Sequence, residues 1–485
     1  MFENYIYSQK QNIISNVCDL ITYPSISEES ENTHFPFGKD CSDCLKYFLN
    51  LASSLGFRTK NVDGYCGYAE FGEGEEIVGI VGHLDVVPAK EEDWSYSPFT
   101  PTVYKNRIYG RGAIDDKGPM VASLYAMKAV MEYLQTSHIP LKKRIRLIVG
   151  LNEEKDWKCI SYYKEHEEFP TIGFSPDADF PCIYAEKGVL SILLKQDLSN
   201  LTFSKKFPFG ISASLPIEIE SLECQNNAIN VVPEIATCIL KLQKNLNASS
   251  VITALKKQID HYDYDMDLYK VDDTHIKITS YGISAHSAHP ELGQNAISKL
   301  LCAINDVLLM HHVSIPLLST FCTFIGDDYT GKGLKLDLKD ESGSLTLNTA
   351  QCYIKDNFLC IGINFRIPVT YSSKTVLQTF TQTFAEKGIE ISVMQDMAPL
   401  FIDKENPLVS KLCHTFNETC GASFSPLAIG GATYSRAFPN MISFGMNFPG
   451  DKDLCHQVDE FVDIDKLLLS TNIYAKAIYE LSVGE

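Results

Sequence analysis

The sequence contains no uninterrupted apolar stretch of 18 residues, the length at which a membrane-spanning helix becomes expected. Its opening segment, MFENYIYSQK, has no apolar run before Gln9 and carries Glu3, so it does not match a secretory signal. We therefore expect no membrane partner and no secretion, and we predict a cytoplasmic protein.

Positive charge is scarce in this chain. Lys and Arg number 42 against 61 Asp and Glu, which gives a formal net charge of −19. Such a surface repels phosphate backbones, so a nucleic-acid partner is not expected. The surplus carboxylates could supply ligands for hard cations, but composition alone does not show whether any of them converge.

The 15 cysteines lack the spacing of a disulfide scaffold. Cys41 and Cys44 have the spacing of a redox or half-zinc motif, but no second such pair accompanies them. We interpret them as two positions on a helix in the 41–55 region. Most of the cysteines are expected to be small buried hydrophobic residues in a reducing compartment.

The first part of the chain alternates helix-like and strand-like segments. Helical spacing of apolar residues extends over 1–56 and 119–135, and short apolar runs cover 77–82, 145–151 and 172–174. Nearly continuous apolar strands separated by helices predict a mostly parallel sheet with helices on both faces, which is an α/β fold.

The middle of the chain has a different character. Apolar residues alternate more openly with polar ones there, and we predict strands over 188–194, 236–242 and 389–393 with helices over 250–261, 293–310 and 375–384. Helices over 408–419 and 464–481 and a strand over 441–444 then restore the α/β pattern. We expect residues 1–186 and 398–485 to form one discontinuous domain, and 187–397 an α+β insertion long enough for two halves.

Polar side chains follow the predicted strands at their carboxyl ends, where open α/β sheets place their sites. The first strand ends at His83, and Asp85 points the same way because side chains two apart on a strand share a face. Asp85 could then accept the second ring N–H of His83. Glu153 and Glu154 follow the second strand, and Asp177 follows the third.

Two further segments add candidates. Asp115 and Asp116 adjoin in a glycine-rich segment before a helix, and His456 lies in a polar setting near the end of the chain. Each motif alone has an ordinary structural explanation. Together, two histidines and three carboxylates suit a two-metal centre with one bridging carboxylate; these residues are His83, Asp115, Glu154, Asp177 and His456.

In this order and at these separations, the motifs HLDVVPA, GRGAIDDKGP, NEEKDWKC, SPDADFP and CHQVDE resemble the M20 metallopeptidases, in particular their PepV-like or Xaa-His dipeptidase branch. The resemblance covers nearly the whole chain. It implies a zinc-peptidase-like catalytic domain with a mostly parallel twisted sheet and flanking helices, plus a large inserted lid domain.

The resemblance also implies a role for each residue of the metal centre. Asp115 would bridge two ions, and the peptide bond between Asp115 and Asp116 would be cis. One ion would be held by His83 and Asp177, and the other by Glu154 and His456. Glu153 would be the general base, and Asp85 would orient His83.

Segments of the insertion and of the last domain have counterparts in the family as well. By resemblance, His286 would polarise the scissile carbonyl, Asn230 of the segment 226–233 would contact substrate, and Arg366 would bind the substrate carboxylate. The loop GGATY would offer backbone N–H groups to that carboxylate; its candidate residues are Gly430, Gly431, Ala432 and Thr433.

The expected activity is metal-dependent hydrolysis of dipeptides that carry a free C-terminal carboxylate. Two divalent ions per chain are implied, zinc first, with manganese or cobalt as alternatives. The resemblance also implies a monomer, because the insertion would take the place of a second subunit's lid. The alternatives are an N-acyl amino acid deacylase or carboxypeptidase of the same family, and a non-catalytic binding scaffold.

Overall fold

The computed structural model describes residues 1–32, 34–199, 215–225 and 228–483. Contacts divide the chain into two compact units. The first unit comprises Met1–Ala185, Leu400–Leu427 and Ala432–Glu485, and the second comprises Glu186–Pro399 and Ala428–Gly431. The short segment 428–431 thus groups with the second unit, whereas the sequence-based boundaries assign it to the first domain.

The described residues form 11 α-helices and 26 strands. The α-helices are Glu3–Ser8 (α1), Lys10–Ile21 (α2), Lys39–Ser54 (α3), Lys117–Ser137 (α4), Lys158–His166 (α5), Ala248–Tyr262 (α6), Ala296–Met310 (α7), Pro316–Phe324 (α8), Ser373–Phe384 (α9), Pro407–Cys420 (α10) and Ile464–Val483 (α11). The strands are Arg58–Val62 (β1), Cys66–Phe71 (β2), Ile77–His83 (β3), Thr102–Tyr104 (β4), Arg107–Tyr109 (β5), Arg144–Gly150 (β6), Ile172–Ser175 (β7), Ala178–Asp179 (β8), Ile183–Glu186 (β9), Gly188–Asp197 (β10), Ile217–Cys224 (β11), Val231–Val232 (β12), Ile235–Leu242 (β13), Met266–Lys270 (β14), His275–Tyr281 (β15), Ala285–His286 (β16), Lys339–Asp340 (β17), Gly343–Ser344 (β18), Thr346–Lys355 (β19), Phe358–Ile367 (β20), Glu390–Met397 (β21), Leu400–Phe401 (β22), Leu427–Ile429 (β23), Met441–Ser443 (β24), Met446–Asn447 (β25) and Phe461–Asp463 (β26).

The main sheet of the first unit has the strand order β1-β2-β6-β3-β7-β24-β9-β22. Its centre is parallel, because β3 pairs in parallel with both β6 and β7, and β7 pairs in parallel with β24. Strands β1 and β2 are antiparallel to their neighbours. The predicted α/β fold with parallel strands is therefore confirmed at the centre, and the edges are antiparallel.

Every residue of β3 is buried, which explains its nearly continuous apolar sequence. Helices α4 and α11 contact this strand, and α4 is itself buried along most of its length. Gly82 is required at the end of the strand because a Cβ atom there would lie 2.2 Å from Oδ2 of Asp116. The carboxyl ends of β3, β6 and β7 thus meet at one edge of the sheet.

The second unit contains two antiparallel four-stranded sheets, with strand orders β19-β20-β10-β21 and β11-β13-β15-β14. The helices predicted for this part of the chain are present as α6, α7 and α9. Each begins where a side chain accepts a hydrogen bond from a backbone N–H of the first turn, as expected for Asn and Ser caps; the capping residues are Asn247, Asn295 and Ser372.

The prediction of helix over the whole of 1–56 was wrong between α2 and α3. Residues 22–38 contain Pro24 and Pro36, which restrict the residues before them to extended conformations, and Gly38 adopts φ of 92° immediately before α3. Among the described residues, no helix combines the length and apolar character that crossing a membrane requires.

Candidate active site

The candidate site of the first unit is built at the carboxyl edge of its parallel strands. His83 is the last residue of β3, Glu153 and Glu154 follow β6, and Asp177 follows β7. Asp115 directly precedes the segment that starts α4. The site therefore lies where the strand pattern of the sequence places it.

A first group of metal-ligating side chains consists of His83, Asp115 and Asp177, whose ligand atoms all lie within 4.8 Å of one another. Nε2 of His83 is 3.1 Å from Oδ1 of Asp115 and 3.7 Å from Oδ2 of Asp177. One nitrogen and two carboxylate oxygens thus converge on a single point.

A second group consists of Asp115, Glu154 and His456, with the same mutual spacing. Nε2 of His456 is 3.2 Å from Oδ2 of Asp115 and 3.0 Å from a carboxylate oxygen of Glu154. Asp115 directs one oxygen toward each histidine, so it belongs to both groups, which is the geometry of a bridging carboxylate.

The hydrogen bonds of His83 test whether a cation fits this site. Nδ1 lies 2.9 Å from the backbone carbonyl oxygen of Asp85, and a carbonyl can only accept, so this contact places the proton on Nδ1. Nε2 is buried, makes no hydrogen bond among the described residues, and faces the carboxylates of Asp115 and Asp177. A lone pair aimed at carboxylates needs a cation between them, so the donor set fits a divalent metal ion.

Asp85 holds the site in a way that differs from the sequence-based expectation. The Asp85 carboxylate lies 3.5 Å from Nδ1 of His83, whereas the backbone carbonyl oxygen of Asp85 lies 2.9 Å from the same nitrogen. The same carboxylate accepts hydrogen bonds of 3.1 Å from the backbone N–H groups of both Glu153 and Glu154. Asp85 therefore orients His83 through its backbone and the Glu153–Glu154 segment through its side chain.

The pKa values reflect how many acidic groups are buried together here. Burial, reinforced by the nearby Asp115, raises the pKa of Asp177 to about 7 and also raises the pKa of Glu154. Burial opposes protonation of His83, yet the carboxylates of Asp115 and Asp85 outweigh it and raise its pKa well above the usual value. In the metal-free protein, protons therefore compensate charges that dications would otherwise balance.

Glu153 lies beside the predicted ligand Glu154 but belongs to neither metal group, and among the described residues its carboxylate, unlike those of Asp85 and Asp116, accepts no backbone hydrogen bond. Burial raises its pKa well above the ordinary glutamate value, with His83 opposing and Asp177 adding to that rise. Its backbone is fixed by Asp85 and by Trp157, whose Nε1 donates to the Glu153 carbonyl oxygen at 2.8 Å. A partly buried carboxylate outside the ligand groups, with a raised pKa, is suited to carry a proton.

The peptide bond between Asp115 and Asp116 is cis, as the resemblance implies. The two aspartates have different surroundings. Asp115 faces both histidines, whereas Oδ2 of the fully buried Asp116 accepts a hydrogen bond of 3.1 Å from the backbone N–H of His83. Asp116 thereby fixes the end of β3 that carries the first histidine.

Tyr434, the last residue of the GGATY loop, packs beside the first histidine of the site, and the sequence motifs predicted no role for its side chain. It is fully buried, its ring packs edge-on against the rings of His83 and Trp157, and its hydroxyl lies 2.9 Å from Sγ of Cys159. Gly150 makes room for it, since a Cβ there would lie 2.5 Å from the tyrosine ring.

Two more residues that received no role from the sequence are Arg111 and Glu460, which are buried and form an ion pair of 2.6 Å. Both fall inside the motifs GRGAIDDKGP and CHQVDE. The signal that could have singled them out is a charged residue in each of two ligand-bearing motifs, with opposite signs.

In the second unit, the structure brings Asn230 and His286 close through their backbones. Strand β12 pairs with β16 so that Val231 lies opposite His286, and the Ser287 N–H donates to the Asn230 carbonyl oxygen at 2.9 Å. The His286 side chain is exposed, and its Nδ1 accepts a hydrogen bond of 3.3 Å from the N–H of Ala288.

Arg366 and Gly430, both predicted to meet the substrate carboxylate, are in direct contact in this unit. Arg366 donates through Nη1 to the Gly430 carbonyl oxygen at 2.9 Å, through Nη2 to Ser287 Oγ at 3.0 Å, and through Nε to Asn364 Oδ1 at 3.1 Å. A Cβ atom at Gly430 would lie 2.6 Å from that of Ala288, so this position requires glycine. Gly431 follows in the same unit.

Ala432 and Thr433 belong to the first unit. Thr433 is buried, and its hydroxyl forms a 2.7 Å hydrogen bond with Ser443 Oγ while accepting one from the N–H of Ser435. This hydroxyl therefore anchors the loop to β24. Residues 226 and 227 of the predicted substrate segment 226–233 lie outside the described residues.

Known proteins resemble this chain over most of its length. The model of the family described as Peptidase family M20/M25/M40 matches residues 79–480, well over half of the chain. A Bacillus subtilis (strain 168) protein named "Putative dipeptidase YtjP" is 34% identical over 485 residues, covering 99% of each chain.

Two solved structures resemble the fold. The dipeptidase Dug1p from Saccharomyces cerevisiae has 14% identity and a TM-score of 0.58, with 99% of this chain and 98% of that one covered. Human carnosine dipeptidase 1 has 12% identity and a TM-score of 0.57, with the same coverage. At these identities the likeness concerns the fold alone.

Proposed function

The chain belongs to peptidase family M20/M25/M40, and on that premise we propose that it is a metal-dependent dipeptidase that acts on dipeptides with a free C-terminal carboxylate. Full-length similarity to a protein named as a dipeptidase supports this choice among the activities of the family. The ordered motifs, which resemble the dipeptidase branch of the family, point the same way.

The observation that carries the proposal is the pair of ligand groups that share Asp115. We propose that His83 and Asp177 hold one divalent ion, that Glu154 and His456 hold the other, and that Asp115 bridges them. Imidazole and carboxylate ligands accept several divalent metals, and we propose zinc first, with manganese and cobalt as alternatives. Elemental analysis of purified protein identifies the metal.

When bound, such a pair of ions polarises the scissile carbonyl and lowers the pKa of a water molecule that attacks it. Glu153 accepts the proton of that water and passes it to the leaving amine. Glu153 is partly buried and lies outside both ligand groups, which supports this role, because a carboxylate with a raised pKa is a stronger base toward the water molecule. Asp85 keeps Glu153 in place through the backbone.

The second unit supplies the groups that bind the rest of the substrate in this proposal. His286 stabilises the negative charge that develops on the carbonyl oxygen, and Asn230 contacts the peptide. Arg366 binds the free carboxylate together with the backbone of Gly430, Gly431, Ala432 and Thr433. The Arg366–Gly430 contact supports this pairing, because it holds the arginine beside the loop.

A substrate panel tests the proposal. Metal-loaded protein should hydrolyse unblocked dipeptides and should lose most activity on the same dipeptides amidated at the C-terminus, because the carboxylate contact is removed. N-acetyl amino acids and longer peptides should be poor substrates. Faster cleavage of N-acetyl amino acids would favour the deacylase alternative, and absence of any hydrolysis by protein that binds both ions would favour a binding scaffold.

The partner proposed is a short peptide alone, and the proposed oligomeric state is a monomer. Sedimentation or light scattering tests it. A dimer whose dissociation abolishes activity would contradict the idea that the insertion replaces a second subunit.

A further inference from the structure

Arg111 and Glu460 form a buried ion pair between the two segments of the first unit that carry Asp115 and His456. Arg111 is 3% exposed and Glu460 is fully buried, with 2.6 Å between Nη1 and Oε2. The pair takes no part in the proposed chemistry. Burying two charges is costly unless good geometry and further hydrogen bonds compensate the loss of hydration, so the other partners of the pair indicate what it does.

Glu460 organises the backbone that leads to the bridging aspartate. Its Oε2 accepts a hydrogen bond from the Gly112 N–H at 3.1 Å, in addition to the Arg111 contact. Its Oε1 accepts from the N–H groups of Ile114 at 2.9 Å and of Asp115 at 3.3 Å. One carboxylate thus accepts hydrogen bonds from three backbone N–H groups of this segment, including that of Asp115, the residue that both ligand groups share.

Arg111 lies on the segment of Asp115 and supports the backbone of the other segment, which carries His456. Its Nη2 donates to the backbone carbonyl oxygen of His456 at 3.3 Å. His456 has φ of 65°, in the left-handed region that side chains other than glycine seldom adopt, so this backbone needs external support. The Gly110 N–H also donates to the Glu460 carbonyl oxygen at 3.0 Å.

The surrounding strands bring these two segments together. Strand β26, which starts at Phe461, pairs with β5, which ends at Tyr109, and those two residues lie opposite each other. The ion pair therefore lies just beyond the last paired residues, where both chains leave the sheet and their course depends on side chains.

From this arrangement we infer that Arg111 and Glu460 are positioning residues that fix Asp115 and His456 relative to each other, and so set the affinity for the ion that Asp115, Glu154 and His456 would share. The inference rests on the proposed two-ion site. Residues that orient metal ligands without touching the metal typically change its affinity by about 10- to 100-fold when replaced.

The same unit contains a matched control. Arg146 and Glu70 form another buried ion pair, with 2.7 Å between Nη2 and Oε2, and join β6 to β2. Within the described part of the chain, neither side chain hydrogen-bonds to a segment that carries a predicted ligand; Arg146 donates instead to Tyr163 and Glu168. Replacing Glu70 removes this buried ion pair, together with contacts to Arg58 and Arg144, without disturbing Asp115 or His456.

The test compares Glu460→Gln and Glu70→Gln in the full chain, freed of metal and titrated with Co²⁺ while the visible absorption of the bound ion is recorded. Both variants should lower the unfolding temperature of the metal-free protein. Glu460→Gln should lower the affinity for the ion at Asp115, Glu154 and His456, the second ion, by about tenfold or more and should change the absorption spectrum of that ion. Glu70→Gln should leave this affinity and this spectrum unchanged.

Wild-type Co²⁺ affinity in Glu460→Gln, or equal weakening in Glu70→Gln, would overturn the inference. Arg111→Lys serves if Glu460→Gln fails to fold. It keeps a charge beside Glu460 but cannot also reach the His456 carbonyl, so weakened binding of the second ion is expected and unchanged binding would overturn the inference.

Dipeptide hydrolysis by the wild type is measured separately. A wild type that binds two ions without cleaving dipeptides refutes the proposed function and leaves this test intact, whereas a wild type that binds fewer than two ions overturns both.

Discussion

Replacing Asp85 by Asn separates two ways in which this residue could support the metal site. In the structure, the Asp85 carboxylate accepts hydrogen bonds from the N–H groups of Glu153 and Glu154, and its backbone carbonyl lies beside Nδ1 of His83. Asn keeps the shape and the backbone carbonyl but has a single acceptor oxygen. One of the two N–H groups must therefore face an NH₂ group.

The magnitude follows from that single lost bond. A buried donor left without an acceptor costs about 1–3 kcal/mol. If the whole cost appears in metal binding, the affinity for the ion at Glu154 and His456 falls by about 5- to 150-fold, at about 1.4 kcal/mol per tenfold change. The ion at His83 and Asp177 should keep nearly its full affinity, because the contact of Nδ1 with the carbonyl survives.

The assay is a Co²⁺ titration of metal-free protein with elemental analysis at each plateau, and Asp177→Asn serves as the reciprocal control. Asp177→Asn should weaken the first ion and spare the second. Preferential loss of the first ion in Asp85→Asn would show that the carboxylate works through His83 after all. Equal loss of both ions would refute the separation argued here, as would two unchanged affinities.

Three further outcomes are expected. Glu153→Gln should bind both ions normally but lower kcat for dipeptides by about 10²–10⁴, the usual contribution of a general base, and full activity in steady-state assays would exclude that role. His456→Ala should retain one ion and lose the other, and elemental analysis showing two ions per chain would contradict its place as a ligand. The metal-free protein should unfold at a lower temperature at pH 8 than at pH 6, because Asp177, whose pKa burial raises to about 7, is stabilising while protonated and loses its proton over this range. The raised pKa of His83 acts in the same direction, since its contribution is also lost as the pH rises, and added metal should abolish the difference seen by calorimetry.

Much of the fold could be read from periodicity. Strand β3 and helix α4 are apolar in patterns that depend on local geometry, so their positions were predicted to within about two residues. The failure at residues 22–38 has the same origin, since an average helical spacing over 1–56 concealed the conformational limits that Pro24 and Pro36 impose.

The ligand candidates were visible for a similar reason. Polar residues that follow buried strands stand out against an apolar background, as His83, Glu154 and Asp177 do, and parallel strands place their carboxyl ends at one edge. The resemblance of the ordered motifs then identified the family. None of this required knowing which atoms touch.

Tertiary structure alone decided how those residues are held. The Asp85 carboxylate reaches the backbone of Glu153, and Glu460 meets Arg111 across 349 positions of sequence, which no local pattern encodes. Likewise, the contact of Arg366 with Gly430 accompanies the grouping of residues 428–431 with the second unit. Periodicity reports which face of an element is buried, whereas hydrogen-bond partners depend on how distant segments pack. The sequence therefore determined the family and the candidate ligands, and the packing determined which residues hold those ligands in place.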